Sequence, residues 1–261
     1  MRSRGLVGLA LPPLVFGAAF LALWESAVAA FDLQPYFLPP PSAIWTRFVE
    51  NLGLIWDATK VSGTNALVGL VAGTVAGVLL SFVLARFRLV NELVMPLAVA
   101  LNAIPIFVLV AVFNNMFSIT SEVPRRLMVS IVVQFIVLVN VTRGLREVDQ
   151  THLELMRSYA ASEVAILRKV RVPNAVPYLF TALKIAAPAA VITAFVSEYF
   201  GGSQNGLGNR IVANIAIAQN AAAWAYVLGA CLLGLMFFLW AVGLELVATP
   251  GGVGSGDRDA A

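Results

Sequence analysis

Long apolar stretches separated by short polar intervals dominate the chain. A helix needs about 20 mostly apolar residues to cross the hydrocarbon of a bilayer. Six stretches reach or approach that length: residues 6–31, 64–84, 90–113, 124–141, 175–200 and 222–247. The predicted fold class is therefore an all-α integral membrane protein with six transmembrane helices. The fourth stretch is the weakest, held between Arg126 and Arg143, whose long side chains can snorkel to the headgroups. Gly69, Gly73 and Gly77 in the second stretch, four residues apart, predict a bare helix face that another helix approaches closely. Pro105 and Pro188 fall inside the third and fifth stretches, where each removes a backbone hydrogen bond and predicts a bend. Between the first two stretches, Leu38-Pro39-Pro40-Pro41 predicts a stiff extended segment. Ser42 then caps a short surface helix with Ile44, Trp45, Phe48 and Leu52 on one face. Residues 1–250 read as a single transmembrane domain, and the Gly-rich tail 251–261 as disordered. No internal repeat is visible, which weighs against transporters built from two repeats around a central site.

Composition sharpens this picture. The chain is 60% hydrophobic and 12% charged, with mean hydropathy +0.87. A soluble domain carries about 25% charged residues, so this chain has too little polar surface to be covered by water alone. The net charge of +3 records orientation rather than nucleic-acid binding, because flanking Lys and Arg are retained in the cytoplasm. With the amino terminus inside, 11 cations are cytoplasmic, 5 (Arg47, Lys60, Arg125, Arg126 and Arg210) are outside, and Lys184 lies within a span. Both termini are thus predicted to be cytoplasmic. The basic start and Ala27-Val28-Ala29 imitate a secretory signal, but the apolar stretch is long, broken by Pro12-Pro13, and carries Glu25, so it is expected to stay uncleaved. Cys231 is the only cysteine and forms no internal disulfide.

Residues 142–174 break the apolar pattern. This interval of 33 residues holds no spanning run, whereas a connector between helices needs only a few residues. Thr151-His152-Leu153-Glu154 fits the capping-box pattern at a helix start. Leu153, Met156, Ala160, Val164, Leu167 and Val170 recur every three or four residues, giving an apolar stripe opposite a charged face. Ser162 predicts the start of a second short helix, and Pro173 and Pro177 mark the return to the membrane. The expectation is a helix–turn–helix across the cytoplasmic ends of the spans. The residues alone leave two uses open, an interfacial hairpin with no partner or a docking surface.

No catalytic constellation is present. The chain lacks G-x-x-x-x-G-K-[ST], so it does not cradle ATP phosphates, and the Gly-rich run 201–208 has no lysine and reads as a turn. His152 is the only histidine and has no cysteine nearby, so no metal site is expected. Glu25, Lys184 and Glu198 are charges in or near spans, where function is the first suspicion. Lys184 is either a cavity charge or a snorkelling one. Glu198, near the outer end of its span, either sits in water or pairs locally.

The stretch Glu154-Leu155-Met156-Arg157-Ser158-Tyr159-Ala160, followed after nine residues by Val170-Arg171-Val172-Pro173, resembles the signature loop of ABC importer permeases. That loop begins Glu-Ala-Ala, carries a glycine after three more residues, and ends Ile-x-Leu-Pro. Glu154 and Pro173 are identical, Leu155 and Met156 replace the alanines, Ala160 replaces the glycine, and Val170 and Val172 are mild changes. Loss of the glycine predicts a less sharp turn, or one shifted to Ala161-Ser162. Trp24-Glu25, Leu38-Pro39-Pro40-Pro41-Ser42, Ile104-Pro105, and Glu198 with Gly206-Leu207-Gly208 are similar to the nitrate/sulfonate/taurine-type permeases, along nearly the whole chain.

The resemblance implies a type I ABC importer permease fold in a bacterial inner membrane. It implies a coupling surface of Leu153, Glu154, Met156, Arg157, Ala160, Ser162, Val170 and Pro173 that docks on a separate ATPase subunit holding the ATP and magnesium. It further implies a second permease subunit, most simply a second copy of this chain, and an extracytoplasmic solute-binding protein, all amid membrane lipid. The solute would be sulfonate-, taurine- or nitrate-like, or alternatively a pyrimidine or vitamin precursor. Asn65, Asn102, Gln134 and Lys184 are the candidate lining of a translocation cavity, with interhelical hydrogen bonding as the competing role for the amides. An ion-coupled secondary transporter, the alternative class, would need mid-depth carboxylates that these spans almost lack.

Overall fold

The computed structural model describes residues 6–102, 104–117, 121–201 and 205–248, which form helices and turns with no strand among them. In chain order these are α1 (Leu6–Ala30), α2 (Pro41–Glu50), α3 (Leu52–Arg86), α4 (Arg88–Asn102), α5 (Ile106–Met116) and α6 (Val123–Arg146). They continue with α7 (Gln150–Ser158), α8 (Glu163–Ile166), a π-helical turn (Leu167–Arg171), α9 (Val172–Phe200), α10 (Leu207–Ala216) and α11 (Asn220–Ala248). Among the described residues, 5 helical units are long and apolar enough to cross a membrane: α1 from Leu11, α3, α6, the rod from Glu163 to Phe200, and α11. The expected tail 251–261 lies outside the described residues.

The third apolar stretch is not one helix. It divides into α4 and α5 around Pro105, which stands at φ −60° and ψ 126° as the residue before α5. Proline pushes the residue before it out of the helical region, so the expected bend becomes a break. By contrast, α9 runs unbroken through Pro177 and Pro188. The second span is longer than expected, because α3 takes up residues 52–63 as well. Its first turns carry Asp57 and Lys60, which pair at 2.8 Å across one turn of helix.

Helix α2 begins two residues earlier than expected, with Pro41 as its first residue. Proline suits that position, where its missing N–H would have no partner anyway. Ser42 is therefore not the cap. Glu25, from the foot of α1, accepts from the Ser42 backbone N–H at 3.0 Å and from its hydroxyl at 2.7 Å, placing a negative charge on the free amides of α2. Beside it, Trp24 stands edge-on to Trp224 of α11, with ring centroids 5.5 Å apart. The Trp24-Glu25 pair thus ties α1 to α2 and α11, while the helix from Leu11 to Leu23 stays largely exposed. Ile44 and Phe48 turn inward from α2, but Trp45 is 60% exposed.

The core is built from α3, α6, α9 and α11. The glycine face of α3 lies against α6: Gly69 on Val129, Gly73 on the Ser130 carbonyl and Val133, Gly77 on the Gln134 carbonyl and Val137. A Cβ on Gly73 would stand 2.8 Å from that of Val133. Helix α9 packs against both α6 and α3, and its Ala182, Ala186, Ala187, Ala190 and Ala194 are fully buried. Small residues on both partners let three backbones approach closely, which is how helices gain packing energy in lipid.

Candidate functional site

Two polar layers stand at opposite ends of the bundle. The first is the hairpin after α6. Asp149, not Thr151, caps α7: its carboxylate accepts from the Thr151 backbone N–H at 2.8 Å. That bond holds the Asp149 carboxyl below its ordinary range. The cap is therefore at full strength above the usual aspartate pKa and fades as pH falls through the lowered value. Asp is the better cap of the two residue types, so the box read at Thr151 loses to its neighbour. Ser162 does cap α8, accepting from the Ala165 N–H at 3.3 Å.

The turn between the two helices is sharp and sits at Ala160. Its φ is 50°, and the Ala160 and Ala161 amides donate to the Arg157 and Met156 carbonyls at 2.9 and 3.0 Å. This is the Schellman closure of a helix, with alanine where glycine is usual. The expectation of a softer or displaced turn is corrected: the reverse hydrogen bonds hold the backbone left-handed although an alanine there costs about 1–2 kcal/mol. Ala160→Gly should relieve most of that strain. Net of glycine's larger loss of chain entropy, amides 150–166 should exchange with deuterium about two- to fivefold more slowly, matching roughly 0.4–1 kcal/mol. Unchanged or faster exchange would show the turn to be unstrained.

The hairpin closes over its own small core. Val148, Leu153 and Ile166 are buried, with Met156, Ala161 and Val170 packed against them. Ile166 takes the place expected for Val164, which is 71% exposed, because the reversal at Ala160 resets the helical phase. The α8 arm of the hairpin does not break before the membrane. Val172 N–H reaches back to the Leu167 carbonyl, giving one wide π turn that runs directly into α9. Pro173 explains the widening, since its ring would strike the carbonyl four residues back and it has no N–H to offer. At the base, the Asn174 side-chain amide donates to the Gly144 and Glu147 carbonyls at 2.8 and 3.1 Å, and Tyr178 fills the space beside Gly144. The hairpin is thus one rigid piece with α9 and the end of α6. Its outer side exposes Leu155, Tyr159 and Val164, at 53%, 77% and 71%.

The second layer lies at the other end of α9. Glu198 is fully buried, so of the two readings the local pairing holds. The Ser62 hydroxyl of α3 donates to its Oε2 at 2.6 Å, the Gly208 N–H at the start of α10 donates to the same oxygen at 3.3 Å, and the Leu207 N–H donates to Ser62 Oγ at 2.9 Å. A Cβ on Gly206 would fall on the carboxylate itself, and one on Gly208 on the Phe195 carbonyl. The motif Gly206-Leu207-Gly208 therefore lets α10 start directly over the buried Glu198 side chain. Nearby, buried Arg125 donates to the Ser121 and Gly201 carbonyls at 2.6 and 2.8 Å. Neither Ser62 nor Arg125 was a candidate from sequence; the partners of Glu198 lie 136 and 10 residues away.

Three of the four candidate cavity residues have side chains that the structure describes. Asn65 is buried at this second layer, donating to Glu122 at 2.7 Å and accepting from Arg126 Nε at 3.1 Å. Gln134 is half-buried on α6. The Asn102 side chain lies outside what the structure describes. Lys184 forms an ion pair with Glu245 of α11 at 2.8 Å; Glu245, inside the last apolar stretch, went unnoticed as its partner.

The protein-family model for the binding-protein-dependent transport system inner membrane component matches residues 69–252. The chain is 32% identical over 203 residues to the formylaminopyrimidine transport permease protein ThiX of Halalkalibacterium halodurans, covering 76% of this chain and 79% of that one. It is 28% identical over 198 residues to a probable ABC transporter permease protein of Haemophilus influenzae, covering 76% and 80%. Its fold is similar to a chain of the inward-facing MetNI methionine ABC transporter, with TM-score 0.57 and 19% identity over 76% of this chain and 95% of that one. The chain belongs to the family of binding-protein-dependent transport system inner membrane components and is an inner-membrane permease of the ABC importer type.

Proposed function

We propose that the hairpin from α7 to the π turn is the surface through which a separate ATPase drives this permease. The observation that carries the reading is the exposed row Leu155, Tyr159 and Val164 on a hairpin already sealed by its own core. An apolar row with an aromatic at its centre, rimmed by charges, has the composition of a protein interface. Glu154 and Arg157 supply the rim, while Leu153, Met156, Ala160, Ser162, Val170 and Pro173 set the hairpin's shape rather than its contacts. Because α8, the π turn and α9 are continuous, movement of the hairpin with its socket carries the whole of α9 with it, a lever acting on a two-state membrane element.

On this reading the hairpin faces the cytoplasm, both termini lie on that side, and α4 and α5 together make the sixth crossing. At 15 and 11 residues they would extend about 39 Å end to end at 1.5 Å per residue, enough for the hydrocarbon. ATP and magnesium belong to the ATPase, a second copy of the chain completes the pathway, and a solute-binding protein delivers the solute at the Glu198 end. Asn65, Asn102 and Gln134 remain proposed pathway residues, and Lys184, now ion-paired, a proposed charge beside it. The solute is small. The relative named for formylaminopyrimidine transport favours a pyrimidine-like precursor, while the motifs favour a sulfonate, taurine or nitrate.

The test is a double replacement, Leu155→Ser with Tyr159→Ser, in the assembled transporter in vesicles. Loss of an aromatic anchor from an interface costs about 2 kcal/mol or more, so stimulated ATP hydrolysis and uptake should both fall at least about 30-fold with insertion unchanged. Uptake at the original rate, or uptake that persists without ATP and collapses with the ion gradient, would sink the proposal.

A further inference from the structure

The hairpin joins the bundle through two roots of unequal stiffness. Through α8 and the π turn it runs as continuous helix into α9. Its other root, residues 147–149 between α6 and α7, is not helical: Glu147 stands at φ −84° and ψ 63°, and Asp149 at φ −55° and ψ 127°. Hinges are a few such residues between elements, whose φ and ψ absorb a displacement. Taken alone, this link leaves α7 free to swing while α6 stays behind.

Asn174 spans the link. From the first turn of α9, its side-chain amide donates to the Gly144 carbonyl at 2.8 Å and the Glu147 carbonyl at 3.1 Å. Gly144 lies in the last turn of α6 and Glu147 just past it, where carbonyls lack partners within the helix. Both N–H groups of one amide are thereby used. The backbones also meet here: a Cβ on Gly144 would stand 2.9 Å from the Ala175 Cα and 2.7 Å from the Tyr178 ring. The Arg143–Glu147 ion pair crosses the same turn at 2.8 Å, but its side chains are 64% and 52% exposed, and pairs so placed hold little.

The same device recurs at the opposite end. Val123-Pro124-Arg125 opens α6 as Val172-Pro173-Asn174 opens α9. In each helix the third residue reaches the carboxyl end of the other: Arg125 donates to the carbonyl of Gly201, the residue that closes α9, at 2.8 Å. The two helices are pinned reciprocally, by side chains, at both ends.

We infer that Asn174 is the positioning residue that makes α6 follow the hairpin, so that a displacement of α7 moves α6 and α9 as one body. The inference rests on the coupling reading of the hairpin and adds how its motion enters the membrane. With the Asn174 bonds in place, the link at residues 147–149 is fixed to the first turn of α9 and has no freedom of its own. Without them, the hairpin still carries α9, but the link flexes and α6 lags. Each stroke of the ATPase then moves only part of the permease.

The test uses the assembled full-length transporter in vesicles. With Asn174→Ala, ATP hydrolysis should stay within about twofold of the parent while uptake per ATP falls at least about fivefold, the low end of couplings between sites. Asn174 is half-buried, so the freed carbonyls take water and the variant inserts. Asn174→Asp keeps the size but sets acceptors against two carbonyls, and its yield per ATP should fall at least as far. Arg143→Gln, which removes only the exposed ion pair, should change that yield by less than about twofold. Deuterium exchange at residues 147–149 should quicken in both Asn174 variants and not in Arg143→Gln. Hydrolysis and uptake that fall in equal proportion would make Asn174 a structural residue and overturn the assignment, as would unchanged exchange at the link. If Leu155→Ser with Tyr159→Ser is silent, the coupling reading itself fails. If that pair stops uptake while Asn174→Ala keeps the parental yield per ATP, this assignment alone fails.

Discussion

Gly73→Val should leave almost no folded protein in the membrane, whereas Gly17→Val and Gly234→Val should insert and extract normally. The contrast follows from what each new side chain meets. At Gly73 the first added carbon lands on the Ser130 carbonyl and within 3.0 Å of two atoms of Val133. Both neighbours belong to the middle of α6, which is itself held in the core against α9. Neither can retreat, because a backbone carbonyl is fixed by its own helix and a core packed at crystal density moves as a unit. Overpacking of this kind costs about 1–3 kcal/mol for an added methyl and more for a branched side chain. Gly17 and Gly234 have no atom within 4 Å of a new Cβ. The measurement is the yield of monodisperse protein in detergent and its midpoint of thermal unfolding. A Gly73→Val protein with the parental midpoint would show that α3 and α6 do not pack through this face.

That glycine face was readable from sequence because it depends on one element: three bare positions at four-residue spacing have little other use in an apolar helix. The hairpin was readable for a similar reason, being an amphipathic pattern in a chain otherwise apolar on all sides, and Ser162 caps α8 as its position implied. What escaped depends on competition or on distance. Thr151 and Asp149 both satisfy a cap rule, and only the backbone decides between them. Ala160 was expected to soften or move the turn, yet reverse hydrogen bonds from two neighbouring amides outweigh one residue's preference. Pro105 and Pro188 look alike in an apolar run, but one ends a helix and the other sits in a buried helix held by α3, α6 and α11. The charges near spans were legible as anomalies and illegible as pairs. Glu25 meets Ser42, Lys184 meets Glu245, and Glu198 meets Ser62; no local periodicity links such partners, so only the folded chain brings them together.

Glu198→Ala should lower stability by about 2–4 kcal/mol, and Glu198→Gln by clearly less. In the parent, one carboxylate oxygen accepts from the Ser62 hydroxyl and from the Gly208 amide while Ser62 in turn receives the Leu207 amide. Alanine removes the acceptor from two donors that have no water to turn to, at about 1–3 kcal/mol each, and leaves a hole against Gly206. Glutamine keeps an oxygen of the same reach and most of the volume, so both donors keep an acceptor. Size alone would make the two variants differ little in the opposite half of the protein. The readout is therefore local as well as global: alongside the thermal midpoint in detergent, deuterium exchange at α10 amides should rise at least tenfold in Glu198→Ala, with α7 and α8 unchanged. If Glu198→Gln were as damaging as Glu198→Ala, the carboxylate's charge rather than its acceptor geometry would be what holds α10. If neither variant loosened α10, Glu198 would have no part in seating that helix, and its burial would need another cause.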